Sequence, residues 1–149
     1  MTYLVESSLL LRHTNPSDPL YPVASRALDA LHEQGEDLHT TPQIFVEFRS
    51  VATRPAEVNG LGLSAAEAEA RASVYELAFP LLPETPDIYP AWKALVQAAG
   101  VVGKQVHDAR LVAVCHVYGI THILTFNVRH FARLATFAPG VVVVDPHSI

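Results

Sequence analysis

Two polar residues in the C-terminal third of the sequence, Asp108 and Asn127, are of types that bind cations or position phosphate. Asp108 directly precedes apolar residues with helical spacing, residues 111–118, so we predict that it starts a buried helix ending at Gly119. Residues 121–125 predict a buried strand, and Asn127 then opens another helical turn. Ligand sites in α/β proteins form at strand ends, so this pair is a candidate metal or phosphate site.

Each of these two residues also has a purely structural interpretation. Asp and Asn are favoured N-cap residues, so Asp108 would cap its own helix and Asn127 the next one. For either residue considered alone, the capping role is the favoured interpretation. For the two residues together, a ligand site is favoured.

Glu6 and Glu47 are two further carboxylates with informative positions. Glu6 follows a short apolar run, residues 3–5, and so lies at the C-terminal tip of a predicted strand. Glu47 shares a helix face with Ile44 and Val51, so its carboxylate points inward. A buried carboxylate is costly unless it is paired or bound to a cation. The candidates for a salt bridge are Arg49, Arg54 and Lys104.

Length and composition predict one domain, residues 1–149, with a sizeable core. Half of the residues are hydrophobic, and the apolar runs stop well short of the roughly 18 residues of a membrane span. We therefore expect a soluble, cytoplasmic protein. The single cysteine, Cys115, lies on an apolar helix stripe and excludes an internal disulfide or a thiolate zinc cluster.

The net charge of −5 argues against a protein that coats nucleic acid by bulk electrostatics. Seven of the ten basic residues nevertheless lie in or next to the segments described here. They are Arg12, Arg49, Arg54, Lys104, Arg110, Arg129 and Arg133. A local positive rim around an acidic centre and scattered solvated charge are both open interpretations.

Strands and helices alternate along the predicted chain, which specifies an α/β fold with a mainly parallel sheet covered on both faces. The predicted strands are residues 3–5, 38–41, 81–82, 121–125 and 141–144. Pro42 suits the first position of a helix, and Ser64 with Glu67 forms a capping box for a helix that reaches about Phe79. Residues 60–62, Gly-Leu-Gly, lack the features of a phosphate-binding loop.

Several segments together resemble PIN-domain proteins, the ribonuclease family that includes the VapC toxins of type II toxin–antitoxin systems. Residues 3–12 are similar to the PIN opening, in which hydrophobic residues precede Asp-Thr-Asn and an apolar helix. Residues 45–55 are similar to the segment with the second acidic residue, while 107–109 (His-Asp-Ala) and 125–127 (Thr-Phe-Asn) match the C-terminal half. The resemblance implies a three-layer α/β/α sandwich.

The same resemblance implies that Glu6, Glu47, Asp108 and Asn127 gather around a divalent cation, Mg²⁺ or Mn²⁺. In this hypothesis Glu6 and Asp108 are ligands, and Glu47 is a ligand or activates water. Asn127 would orient water or a phosphate. Ser7 would support the Glu6 carboxylate. The residues expected to contact RNA are Ser7, Arg12, Lys104, Thr125 and Arg129.

Three positions depart from the family pattern. Glu6 replaces an Asp, Ser8 replaces an Asn, and His130 replaces an Asp. Because of its extra methylene, the Glu6 carboxylate lies about 1.5 Å farther from its backbone than an Asp carboxylate would. His130 would be either a surface histidine or a nitrogen ligand that favours Mn²⁺ or a later metal.

The resulting hypothesis is a metal-dependent endoribonuclease of the VapC type. It would be inhibited by an antitoxin whose C-terminal segment lies across the site, and it would form a homodimer. The alternative is a catalytically silent PIN-like module that binds RNA or a protein partner.

Overall fold

The central element is a four-stranded, fully parallel sheet, seen in a computed structural model that describes residues 1–149. Its strands are β1 (Thr2–Val5), β2 (Asp37–His39), β3 (His122–Leu124) and β4 (Val142–Val144), in the order β2-β1-β3-β4. Tyr3 pairs with Leu38 on one side, and Leu4 pairs with Ile123 on the other. Because β1 and β3 are the inner strands, their carboxyl ends lie side by side at one edge of the sheet.

Seven helices flank this sheet and confirm the predicted α/β architecture. They are α1 (Ser7–Thr14), α2 (Tyr21–Glu33), α3 (Pro42–Ala52), α4 (Ala65–Ala78), α5 (Ile88–Ala99), α6 (Gln105–Tyr118) and α7 (Val128–Ala135). Helix α1 contacts α2 and α3, and α3 contacts α4; in a second group, α6 contacts both α5 and α7. Two short 3₁₀ turns cover residues 56–58 and 146–148. No helix has the length and apolar character needed to span a bilayer.

Local sequence signals set several helix boundaries. Pro42 occupies the first turn of α3, whose N-cap Thr41 accepts a hydrogen bond from the Ile44 backbone N–H. Ser64 and Glu67 make both hydrogen bonds of the predicted capping box. Gly119 ends α6 with a φ of 69°, a left-handed conformation that glycine adopts without strain.

The predicted start of α6 is wrong by about one turn. The helix begins at Gln105, so Asp108 lies within its first turn and is not the N-cap. A tertiary contact accounts for the earlier start: the Trp92 indole Nε1–H donates to the Val106 carbonyl oxygen at 2.7 Å and so holds the first turn in place. A residue distant in sequence therefore overrides the local pattern.

The predicted strand at residues 81–82 is also wrong. Leu81 forms only an isolated bridge with Thr40, and β2 ends at His39. Pro80 and Pro83 flank this bridge, and proline lacks the N–H that a longer ladder needs.

The hydrophobic core is a single cluster of 31 buried residues centred on the inner strands. Leu4, Val5, Ile123 and Leu124 have no exposed surface. Cys115 is also fully buried, and burial raises the pKa of its thiol, so it is an inert core side chain.

Replacing Leu4 by alanine should lower the free energy of unfolding by about 2–5 kcal/mol, because a cavity forms in the middle of the sheet. Leu77→Ala is the matched control, since the Leu77 side chain is 88% exposed and should change stability by less than about 0.5 kcal/mol. Guanidinium titration of both variants measures the difference. Equal effects would contradict the assignment of β1 to the core.

Candidate acidic active site

The site begins where β1 and β3 end. Glu6 directly follows β1 and Thr125 directly follows β3, and the Glu6 backbone N–H donates to the Leu124 carbonyl at 3.1 Å. The Thr125 hydroxyl donates to Glu6 Oε2 at 2.8 Å. Two side chains separated by 119 positions thus meet at the carboxyl edge of the sheet, where α/β proteins form their ligand sites.

The Glu6 carboxylate is buried and held by four hydrogen bonds. Oε2 accepts from the Ser8 backbone N–H at 3.1 Å, from the Ser8 hydroxyl at 2.5 Å and from Thr125, while Oε1 accepts from the Ser7 hydroxyl at 2.8 Å. Glu6 is the N-cap of α1, with extended backbone, and it is only 3% exposed. The longer side chain of Glu6 therefore folds back over the start of its own helix.

Glu47 reaches the same site from α3. The Ser7 Oγ atom lies 3.4 Å from Glu47 Oε2, so this hydroxyl stands between the Glu47 and Glu6 carboxylates. Gln43, one turn earlier on α3, donates from Nε2 to Glu47 Oε1 at 2.9 Å. Burial is the main cause that raises the pKa of Glu47; the Gln43 hydrogen bond opposes it, and the negative charge of Glu6 adds to it.

Glu47 does not form the salt bridge that was one interpretation of its sequence position. Arg49 pairs with Glu69, and neither Arg54 nor Lys104 forms an ion pair. Gln43 is the residue that compensates Glu47, since it also donates to the His107 carbonyl at 2.8 Å and links α3 to α6. Hydrogen-bond donors, not a cation, hold this carboxylate.

Asp108 supplies the third carboxylate from the first turn of α6. Burial, followed by the negative charges of Glu6 and then Glu47, raises the pKa of Asp108 to about 6. Two histidines partly offset these effects: His130, whose Nδ1 lies 3.8 Å from Asp108 Oδ2, and the neighbouring His107. His130 is a surface histidine, with its side chain 56% exposed. The negative charges of Glu6, Glu47 and Asp108 therefore act on one another, and only histidines oppose them at Asp108.

Asn127 lies on the same edge, two residues after Thr125. It is the N-cap of α7, yet its exposed side chain makes no capping hydrogen bond, and its backbone N–H donates to the Thr125 hydroxyl at 2.9 Å. It borders an open pocket of about 330 Å³ that Arg129 and His130 also line. The Asn127 amide is thus free to contact a bound molecule.

The residues expected to contact RNA fall into two groups. Ser7 and Thr125 donate their hydroxyls to Glu6, so they orient this carboxylate. Lys104 and Arg129 are exposed and unpaired, whereas Arg12 forms an ion pair with Asp18 at 2.7 Å. Arg49 and Arg110 also form ion pairs with glutamates. Fewer cationic groups are therefore free to form the positive rim that was one of the two interpretations of the sequence.

Two supporting residues were missed by sequence reasoning. Gln43 lies four positions before Glu47, a spacing that brings two side chains together on a helix and could have identified it. Ser8 was noted only as a departure from the family pattern. Its hydroxyl bonds Glu6 and also accepts from the Phe126 backbone N–H at 3.1 Å, so it joins the two strand ends.

The donor set fits a hard divalent cation in its chemistry. Carboxylate oxygens are the ligands that Mg²⁺ and Mn²⁺ prefer, and neither Glu6 nor Glu47 has a cationic partner. The side-chain positions are more open than a formed centre, because no three His, Cys, Asp or Glu side chains are placed to hold one ion together. Binding an ion would therefore require rotation of these side chains.

Structural comparison gives relatives that cover nearly the whole chain. The VapBC2 complex of Rickettsia felis bound to a promoter DNA fragment has a TM-score of 0.71, 11% identity, and coverage of 97% of this chain and 98% of that one. VapC20 of Mycobacterium tuberculosis, a toxin that cleaves the sarcin–ricin loop, has a TM-score of 0.66, 20% identity, and coverage of 87% and 93%. VapBC-1 of Haemophilus influenzae has a TM-score of 0.66, 16% identity, and coverage of 98% of both chains.

Sequence comparison agrees with the fold. No curated protein sequence matches this chain significantly, but the family model of the PIN domain matches residues 3–136. That range contains Glu6, Glu47 and Asp108 with the strands and helices that position them. The chain therefore belongs to the PIN domain family.

Proposed function

We propose that this protein is a divalent-metal-dependent endoribonuclease, the toxin component of a VapBC-type toxin–antitoxin system. The observation that supports the proposal is that Glu6, Glu47 and Asp108 are close enough for their negative charges to interact, and that none of them is paired with a lysine or arginine. Such a cluster is unfavourable by itself and becomes favourable when a cation binds. The PIN family assignment supports nuclease chemistry at this location.

The chemistry follows from the residues on this edge. Mg²⁺ or Mn²⁺ held there would supply charge neutralisation of the phosphodiester and a water of lowered pKa. Glu6 and Asp108 would hold the ion, and Glu47 would hold it or accept the proton of the attacking water. Asn127, with its free amide, would orient the water or a phosphate oxygen.

The surrounding side chains prepare the site for this role. The hydroxyls of Ser7, Ser8 and Thr125 hold the Glu6 carboxylate at this edge before any ligand arrives, and rotation of the carboxylate would turn an oxygen toward the ion. Lys104 and Arg129 are free to contact the RNA backbone, because neither is engaged with a carboxylate.

An antitoxin is the proposed protein partner, and a homodimer is the proposed assembly. Support for the antitoxin comes from similar structures that are toxin–antitoxin complexes, including VapBC of Salmonella typhimurium bound to DNA, with a TM-score of 0.70 and 12% identity. In this proposal an antitoxin segment covers the acidic edge and keeps RNA away from it.

One observation favours a second candidate function, a PIN module that binds RNA without cleaving it. Glu6 Oε2 already accepts three hydrogen bonds, and one of them comes from the Ser8 backbone N–H, so this carboxylate serves as a helix cap. If that structural role excludes metal binding, only the binding function remains. Cleavage and metal-binding measurements separate the two candidates.

Asp108→Asn and Glu47→Gln should each reduce metal-dependent RNA cleavage by at least about 100-fold, since residues that hold one ion lose function together. Asp87→Asn and Glu76→Gln are matched controls, because both side chains are exposed and form no ion pair. Gel analysis of labelled RNA with Mn²⁺ or Mg²⁺ measures the rates. Cleavage that both site variants retain would overturn the proposal.

Restoring the family residues provides a test of the second candidate. If Glu6 and His130 have cost the chain its activity, Glu6→Asp combined with His130→Asp should create or sharply increase metal-dependent cleavage. If Glu6 is a working ligand, Glu6→Gln should abolish the wild-type activity. Absence of cleavage in both the wild type and the double variant would leave the binding module.

The stability of the metal-free protein should fall as pH rises from about 4 to about 6. Asp108 has a pKa of about 6 in the folded chain against an ordinary value of 3.8, so the folded state holds a proton that the unfolded state has lost. Denaturant titrations across this range measure the fall, and Asp108→Asn should reduce it and raise stability at pH 7. A profile unchanged by Asp108→Asn would contradict the buried charge cluster.

Stabilisation by Mn²⁺ should have the opposite pH dependence, because the ion requires ionised carboxylates. The shift in melting temperature at millimolar Mn²⁺ should increase from pH 5 to pH 7 and should be lost in Asp108→Asn. A melting temperature that does not respond to Mn²⁺ or Mg²⁺ at either pH would exclude a working metal centre.

A further inference from the structure

An open pocket of about 470 Å³ adjoins the acidic edge, between α1, the end of α3 and the loop of residues 54–63. Ser8 forms its near end, and the Ser8 hydroxyl lies 2.5 Å from Glu6 Oε2. Val51 contributes from α3, four positions beyond Glu47 and so about one turn away. A strand of RNA with a phosphate at the carboxylates would therefore place a neighbouring nucleotide at this pocket.

The loop that forms the outer wall is fixed in place. Backbone hydrogen bonds join Leu61 N–H to the Val51 carbonyl at 3.2 Å and Gly62 N–H to the Arg54 carbonyl at 2.9 Å. A Cβ on Gly60 would lie 1.8 Å from the Arg54 carbonyl oxygen, so only glycine fits there. The wall is thus a built feature and not a loose turn.

Asn59, beside this glycine, has an unusual backbone. Its φ of 64° makes it the only non-glycine residue of the chain in the left-handed region. Asparagine is among the residues that tolerate this conformation best, and here it ends the 3₁₀ turn of residues 56–58. Asn59 also lines the pocket, so this turn places an amide side chain at its rim.

The lining suits a flat molecule with apolar faces and polar edges. Leu11, Val51 and Leu61 give an apolar surface, while the polar lining includes Arg12, Asn15 and Asn59. A nucleobase has this distribution of polarity. The volume also falls in the range of about 300–1,000 Å³ that is usual for small-ligand pockets.

Hydrogen-bond donors dominate the polar rim. Arg12 uses NH1 to bond Asp18 Oδ2 at 2.7 Å, which holds the guanidinium in position and leaves its other N–H groups free. Asn15 accepts from the Ser17 backbone N–H with Oδ1 at 3.2 Å, so its NH₂ group remains available. Asp18 is already satisfied, because Oδ1 accepts from the Leu20 backbone N–H at 2.8 Å.

We propose that this pocket binds a nucleobase of the RNA next to the cleaved phosphodiester, with guanine preferred. Guanine fits best because N7 and O6 present two acceptors on one edge, which arginine N–H groups recognise. On the corresponding edge cytosine offers an amino donor and no pair of acceptors, so a base that enters with this edge toward Arg12 and Asn15 would leave their donors unpaired. The inference rests on the proposed function, since it names a substrate subsite of the same active site.

The test measures binding in the Asp108→Asn background, where the RNA stays intact. The probes are two fluorescein-labelled single-stranded RNA dodecamers, one with guanine at every third position and one with cytosine at those positions. Fluorescence anisotropy should show about tenfold tighter binding of the guanine probe. Asn59→Gly and Asn15→Ala should reduce this preference to about twofold or less. Glycine keeps the positive φ at position 59, so the loop is preserved.

Gln97→Ala is the matched control, because Gln97 is an exposed amide on α5 outside the pocket. It should retain the full guanine preference. Thermal melts of all variants confirm that the fold is intact. Three outcomes would each overturn the subsite. They are a guanine preference that both pocket variants retain, equal binding of the two probes, and no binding up to about 100 μM protein.

Cleavage by the wild-type protein is measured separately, so the two proposals fail independently. Guanine preference without cleavage would keep the pocket and reject the nuclease. Cleavage without guanine preference would keep the nuclease and reject this pocket as a base site.

Discussion

The hydrogen bonds donated to the Glu6 carboxylate are the interaction on which the site depends. They join the end of β1, the start of α1 and the end of β3, and they allow a carboxylate that is 3% exposed to sit at the base of the sheet edge without a cation. Hydroxyl and backbone donors stabilise the charge, as does the positive end of the α1 dipole. They do not neutralise it, however. The charge of Glu6 therefore acts on Glu47 and Asp108.

In the absence of a ligand, the charges on this edge of the sheet lower the stability of the folded protein. Burial and like charge raise the pKa of both Glu47 and Asp108, and His130 offers Asp108 only weak compensation from 3.8 Å. Arg12 and Arg110 form ion pairs with other carboxylates, those of Asp18 and Glu84. Such a concentration of unfavourable charge is the pattern expected where stability has been sacrificed for binding.

Sequence patterns predicted the architecture well where the signals are local. Pro42, the Ser64 capping box and Gly119 act on neighbouring backbone groups, so their effects can be inferred without knowledge of the fold. The errors arise where contacts with residues distant in the sequence determine where an element begins or whether it forms. Trp92 moves the start of α6 to Gln105, and the short bridge at Leu81 depends on its partner Thr40.

The candidate site shows the same difference between local signals and contacts of distant residues. The positions of Glu6, Glu47 and Asp108 follow from motifs, but their hydrogen-bond partners do not. Gln43 reaches both Glu47 and the His107 carbonyl because α3 and α6 are close in space, a fact that no local pattern contains.

The indole that fixes the start of α6 has a further consequence. Trp92 is the only tryptophan of the chain, and its N–H bonds the carbonyl of Val106, two residues before Asp108. Indole emission is sensitive to the loss of such a bond and to changes in local polarity. The protein thus carries a single tryptophan fluorophore, and it is bonded to the turn that presents the third carboxylate. Any ligand that pulls Asp108 toward Glu6 should be visible in the emission spectrum without a label.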